Sequence, residues 1–345
     1  MDFSLMFWGH AEQGTEPADK YRLLLEAGRY ADAQGFAALW VPERHFHPWG
    51  GLYPNPVVLL AALATVTTRI RLRAGSVVVP LHHPLRIAED WSVVDNLSGG
   101  RVELAMASGW KDDDFALAPE RYAKRKSDMV KSMDTVQQLW RGDTVQSVNG
   151  QGQVVELRVH PRPIQAELPL WVTSGGSLKT ITHAGAKGCG LLTHLLGQNY
   201  AELEQKIAQY HAYRRTAGFT GPGKISLMLH TFLGNDRNQV RELVRDPLSA
   251  YLLESAELAI PTVAKEQWEA ADASLKQQMI AQGFERYFDT AALMGTVEDC
   301  RKQVFKLAAM GITDICCLVD FGLPVDTVLA GLKHLTQLKD ACAGR

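Results

Sequence analysis

The chain has 345 residues, 46% hydrophobic and 21% charged, and 36 Lys plus Arg set against 38 Asp plus Glu give a formal net charge of -2. That balance leaves no basic surplus for nucleic acid and no charge block for a membrane-surface helix, while the length supports one large hydrophobic core. The N-terminus has no basic start, apolar run or small-residue cleavage site, no apolar stretch is long enough to span a bilayer, and the five cysteines follow no metal-type spacing; the reading is a cytoplasmic protein with reduced thiols, no membrane segment and no metal site.

In chain order, the apolar and aromatic run at 2–8 closes at Gly9 and predicts a first buried strand. Residues 17–35 begin with Pro17 and carry apolar positions at helical spacing up to Gly35. Strands follow at 36–41, 70–76 and 102–107, separated by helices at 56–66 and about 85–97, and a fourth helix covers roughly 120–140. Residues 144–159, with Asn149 and Gly150 at their centre, read as a surface hairpin. Strand 170–173, helix 177–187, strand 189–192, helix 200–217, strand 225–232, strand 315–319 and a last helix at about 325–338 complete the pattern.

Eight strands with intervening helices predict an α/β fold, a TIM (β/α)8 barrel in one domain spanning 1–345. The stretch 236–297, between strands seven and eight, is longer than a crossover needs and reads as an insertion over the site. An open doubly wound sheet is the competing architecture, but no Gly-x-Gly-x-x-Gly follows the first strand.

A barrel presents its chemistry at the C-terminal strand ends. There the sequence puts Glu43, Arg44, His45 and His47 after strand two, Gly75 and Ser76 in strand three, Ser108 and Gly109 after strand four, and Ser174, Gly175, Gly176 and Ser177 after strand five. A strand running through Ser-Gly-Gly-Ser into a helix can cup a phosphate on free backbone N–H groups, or form a plain helix cap. His45 reads either as a general acid/base or as a hydrogen-bonded wall. Arg86, Glu89, Asp90 and Arg101 read as a structural ion-pair network or a subunit contact, the run 112–114 as a solvated loop or a helix start placed where it could also touch a substrate, and Cys316 and Cys317 as core.

The ordered set WVPERHF (40–46), PNP (54–56), PLHHP (80–84), Arg86, AED (88–90), Asp95, SGGR (98–101), Ser108 with Gly109, and PLWVTSGGS (169–177) with Thr180 and Gly188 resembles the bacterial luciferase-like flavin monooxygenase family. The stretches GTV (295–297), GITDI (311–315) and LVDFG (318–322) resemble its natural-product biosynthesis branch. The resemblance implies a TIM barrel that binds reduced FMN (FMNH2) from a separate flavin reductase and activates O2 as a flavin C4a-hydroperoxide. The implied substrate is a small or carrier-protein-tethered intermediate, and the implied assembly is a homodimer through helices two and three. FMN phosphate would lie on Ser174, Gly175, Gly176 and Ser177, with Thr180 one turn further. Gly75 and Ser76 would lie under the flavin ring, where the family often carries a non-prolyl cis peptide.

Two departures stand out. Ser108 replaces an Arg that helps luciferases hold the phosphate, and Arg44 replaces the first His of a Glu-His-His motif. Arg44 stays protonated and cannot act as a base, so His45 is expected to face the flavin, beside Glu43. An F420-dependent oxidoreductase of the same fold and a non-catalytic flavin-binding protein are the other readings.

Overall fold

The computed structural model describes residues 1–10, 19–254, 268 and 270–343. The chain runs β1 (Asp2–Met6), α1 (Arg22–Ala33), β2 (Ala38–Val41), α2 (Pro56–Val66), β3 (Arg71–Val78), α3 (Pro84–Ser98), β4 (Val102–Ala107) and α4 (Arg125–Arg141). A hairpin of β5 (Val145–Val148) and β6 (Val154–Leu157) precedes β7 (Leu170–Ser174), α5 (Leu178–Ala186), β8 (Gly190–His194), α6 (Tyr200–Thr216) and β9 (Ile225–Leu233). Then come α7 (Arg237–Glu254), α8 (Ala273–Thr290), β10 (Leu293–Gly295), α9 (Val297–Ala309), β11 (Asp314–Leu318) and α10 (Val325–Cys342).

β1, β2, β3, β4, β7, β8, β9 and β11 pair in that order, all parallel, and β11 returns to β1. This is the closed TIM barrel the sequence predicts. α7, α8 and β10 occupy the expected insertion, with β10 pairing the upper half of β9 at Thr231 to Leu233. The expected start of the first helix at Pro17 and the apolar position Leu258 lie outside the described residues. The fourth helix begins later than the sequence suggests, because a 3₁₀ segment (Pro119–Lys124) precedes α4.

Local chemistry sets several boundaries. Asn55 caps α2 by accepting from Val57 N and Val58 N, with Pro56 at the first helical position. Asn199 and Glu202 form a reciprocal capping box on α6. α3 ends on Gly99 with φ +69°, a left-handed stop that an L side chain resists.

The barrel's interior is polar at its base. Ser4 Oγ and Ser226 Oγ donate to Asp314 at 2.9 Å and 2.6 Å, Arg73 bonds Glu103 at 2.7 Å, and Trp171 Nε1 donates to Glu103 at 2.8 Å. The Arg73 guanidinium lies over the Trp40 and Trp171 rings. These mutual contacts identify the inward-facing register. Side chains alternate along a strand, so the same face carries Thr173 one layer higher, where the register shift in β3 turns Ser76 toward it, then His194, His230 and Asp320 at the C-terminal mouth.

The charged residues in and just after α3 resolve into two roles. Arg86 pairs with Asp90 at 2.8 Å on the outer face. Arg101 joins no such network; buried, it donates to the carbonyls of Ala64, Thr67, Ile70 and Ser98 and so pins the end of α2 to β3 and β4.

Candidate active site

The loop after β2 carries the first cluster. Glu43, 1% exposed, accepts from Val78 N at 2.6 Å through one carboxylate oxygen. Its other oxygen meets His82 Nε2 at 2.6 Å and His45 Nε2 at 3.0 Å. Burial pushes this carboxyl up, but bonds from His45 and His82, the His82 charge and the Val78 N–H outweigh it and hold Glu43 below its ordinary range. Burial pulls His82 down; the bond and charge of Glu43, helped by Asp90, more than reverse that, so its imidazole titrates above the usual value. Adjacent His82 and His83 point apart, so the sequence allows at most one of them into a pocket: His82 turns to Glu43, while His83 caps α3.

Arg44 and His45 diverge, as adjacent residues on extended backbone do. Arg44, 4% exposed, turns to Asp114 at 2.7 Å, also 4% exposed, with its guanidinium over the Trp110 ring. Asp112 to Asp114 open a 3₁₀ turn (Asp113–Leu117), as the helix-start reading expects, but Asp114 is buried rather than solvated: it is the countercharge that holds this segment against the β2 loop. Burial pushes its carboxyl up despite the Arg44 charge and bond. His45 keeps a 12% exposed edge, while His47 sits further out near Glu254. Phe46, with φ +56°, takes a left-handed conformation rare for an aromatic residue and stands 67% exposed at the rim.

The second cluster joins β3 to β7. The peptide between Gly75 and Ser76 is cis, as the resemblance implies, and the pairing with β4 shifts register there. A Cβ on Gly75 would come within 2.8 Å of the Trp40 ring, so glycine is required. Ser76 Oγ and Thr173 Oγ share a hydrogen bond of 2.6 Å. Ser108 follows β4, the strand paired with β7, and thus ends next to the Ser174 turn.

That turn is partly a cap and partly a cradle. Ser174 Oγ, buried, accepts from Gly176 N at 3.3 Å, while Ser177 precedes α5 without a capping side-chain bond. Thr180 is half-buried in the first turn of α5. Gly176 has φ +110°, and a Cβ there would lie 3.1 Å from both Lys206 Nζ and Gln198 Oε1. Lys206 donates to Gln198 at 2.8 Å, Gln198 donates to Thr193 Oγ at 3.3 Å, and Thr193 donates to Ser174 O at 2.8 Å. An ammonium group thus stands at the glycine turn where the helix dipole is positive, an arrangement that suits a phosphate. Lys206 escaped the sequence reading because it lies thirty positions beyond the turn, on a helix face that looks solvated.

Two imidazoles at the mouth were also missed. His230 is fully buried, its Nδ1 is 2.9 Å from Tyr287 Oη, and its Nε2 has no partner among the described residues. His194 is half-buried as a residue, but its Nδ1 is out of water and likewise unpartnered. Burial pushes His194 down to about 4 and His230 to about 3, the latter aided by His194. Both are neutral imidazoles near neutral pH, each with a spare nitrogen. Together with the glycine cradle, these orphaned polar atoms fit a planar heteroaromatic phosphate such as FMN. No group of metal-ligating side chains occurs among the described residues.

Comparison with known proteins follows the same lines. The family model described as luciferase-like monooxygenase matches residues 1–314. The chain is 33% identical over 182 residues to 4-hydroxyprotoasukamycin monooxygenase of Streptomyces nodosus subsp. asukaensis, covering 52% of the chain and 49% of that protein, so it spans about half that relative's length. It is 25% identical over 248 residues to the oxygenase component of the flavin-dependent trigonelline monooxygenase of Acinetobacter baylyi, covering 70% and 67%. An F420-dependent glucose-6-phosphate dehydrogenase of Amycolatopsis mediterranei is 29% identical over 180 residues, covering 50% and 53%. The monooxygenase RslO1 from Streptomyces bottropensis shares the fold with a TM-score of 0.79 at 21% identity over 98% of each chain.

Proposed function

The chain belongs to the luciferase-like monooxygenase family, and from that premise we propose that it is the oxygenase half of a two-component system. In this reading residues 1–345 act as one domain, in the cytoplasm, taking reduced FMN from a separate flavin reductase and using O2 to oxidise a natural-product intermediate, free or carrier-bound. The relative from Acinetobacter baylyi, itself named an oxygenase component, supports the reductase partner. The observation that carries the FMN reading is Lys206 at the Gly176 turn, a cation beside a glycine turn at a helix start, on a barrel whose strand ends bear only small side chains at Gly75, Ser76 and Ser108.

Bound reduced FMN supplies the electrons that activate O2. The chain's own residues bind, orient and move protons around it. Gly175, Gly176, Ser177 and Thr180 hold the phosphate with Lys206, and Ser174 shapes the turn. Gly75 and Ser76 leave room for a flat ring against β3. Glu43 accepts from His45 Nε2 and thereby keeps the lone pair of the neutral ring on Nδ1, which is the atom that takes and returns a proton. Arg44 is a strut for the loop and not a proton carrier.

The test mixes the protein anaerobically with photoreduced FMN, adds O2 and follows absorbance in a stopped flow. A transient species that outlives the oxidation of free reduced FMN supports the monooxygenase. Immediate reoxidation without it, together with retention of F420 in place of FMN, would transfer the reading to an F420-dependent oxidoreductase. Retention of FMN with no oxygen chemistry would make it a non-catalytic flavin binder.

A further inference from the structure

A cleft of about 840 Å³ lies between residues 195–202 and one face of α8. Met279, Ile280, Gly283, Arg286, Tyr287 and Thr290 line it at helical spacing, so it follows three turns of α8 for about 16 Å. Leu195, Leu196, Leu252 and Trp268 complete a mostly apolar wall. The volume is that of a small-molecule site.

Two contacts join the cleft to the mouth. Tyr287, which lines it, bonds His230 through its hydroxyl. Gln198, also lining it, bonds the His194 carbonyl and Thr193. A molecule in the cleft is therefore one residue removed from His230, through Tyr287, and from the β8 end that carries His194, through Gln198.

The charge pattern on α8 is uneven. Its outer face is tied to α7 by a ladder in which Arg237 and Arg241 meet Asp289 and Arg245 meets Glu285. Arg286 faces the cleft and has no carboxylate partner among the described residues. Glu202, the carboxylate that lines the cleft, is engaged in the α6 capping box. A guanidinium with no countercharge among the described residues, next to Tyr287 in the helix, is a receptor for an anion.

We propose that this cleft takes an elongated, apolar substrate bearing a carboxylate, with the carboxylate on Arg286 and the body along Leu252, Ile280 and Trp268. The proposal rests on the flavin reading, because it assigns that reading's substrate class. The acid group then lies within one helical turn of the residue that holds His230, and the carbon that is oxidised lies near the anionic end.

Decanoate and decanol, which share a chain and differ in charge, are the probes, titrated calorimetrically into the cofactor-free protein. We expect decanoate to bind about tenfold tighter than decanol, and Arg286→Gln to abolish that preference. Gly283 has open space where a Cβ would point, so Gly283→Phe directs a ring into the cleft and should weaken both probes; a circular-dichroism melt checks its fold. Equal binding of the two probes by the parent protein overturns the proposal, as does a preference that survives Arg286→Gln or decanoate binding that survives Gly283→Phe. FMN titration of each variant separates the causes. Normal FMN binding with no decanoate preference sinks the substrate assignment alone, whereas failure of the parent protein to bind FMN sinks the flavin reading.

Discussion

At the scale of single residues, the loop after β2 divides its labour between neighbours whose side chains point apart. Arg44 and Asp114 form a buried pair whose geometry matters only while both remain. Removing one partner leaves a charge out of water without compensation, which costs about 3–5 kcal/mol. Asp114→Asn is therefore expected to lower the thermal midpoint more than the double replacement Arg44→Met with Asp114→Leu, and the reverse order would show the pair to be dispensable. Glu43 and His82 set a pH signature. The folded-state pKa of His82 is raised above its ordinary 6.5, so the stability it contributes is fully present below that value and is lost as pH climbs through the higher folded value. The folded pKa of Glu43 is depressed, so its contribution is present above the ordinary 4.5 and lost as pH falls below it. We expect urea denaturation to show stability declining above pH 6.5, and His82→Gln to flatten that slope; an unchanged slope would assign it to other groups.

At the scale of elements, the turn from β7 into α5 is where sequence and structure meet most closely and where they differ most instructively. The Ser-Gly-Gly-Ser run was legible because a strand, two small residues and a helix start follow in immediate succession. The cation beside it was not, because Lys206 reaches Gly176 only through the packing of α6 on α5. The same reason hid His194 and His230, which sit in apolar strands and declare themselves only once the inward register of the barrel is known. α2 and β4 were legible to the residue, since Asn55 with Pro56 marks the first and a short apolar run, interrupted by Glu103 alone, marks the second. β10, three residues long, is too short to carry any periodicity. Lys206 yields a test that a structural role would not pass. Lys206→Met should weaken FMN about tenfold or more, leave riboflavin, which has no phosphate, unaffected, and reduce the salt dependence of FMN binding. Gly176→Ala should weaken FMN as well, since its φ of +110° resists a side chain and the new methyl crowds Lys206. Equal losses for FMN and riboflavin in Lys206→Met would mean that the lysine only supports the turn.

At the scale of the whole molecule, the outer surface of the barrel carries a face that a monomer does not explain. α2 contains no charged residue in its eleven positions, and a helix apolar all round is normally covered on every side. Its inner face packs on the barrel, yet Val58 is 60% exposed. The neighbouring α3 continues the strip, with Val93 44% and Leu97 53% exposed at helical spacing. Arg86, Glu89 and Asp90 pair among themselves at its edge, forming a polar rim around an apolar centre as association surfaces do. The homodimer through these two helices is therefore a proposal with a defined footprint. Sedimentation at micromolar concentration should give a dimer, and Val58→Asp with Leu97→Asp, which buries two charges in the centre of that footprint, should give a monomer that still binds FMN, because the cradle at Gly176 stands after β7, beyond β4 from both helices. A parent protein that sediments only as a monomer would reject the dimer, and a double variant that stays dimeric would move the interface elsewhere. Loss of FMN along with the dimer would tie the cofactor site to the assembly, so that oligomerisation orders the strand ends on which the phosphate cradle stands.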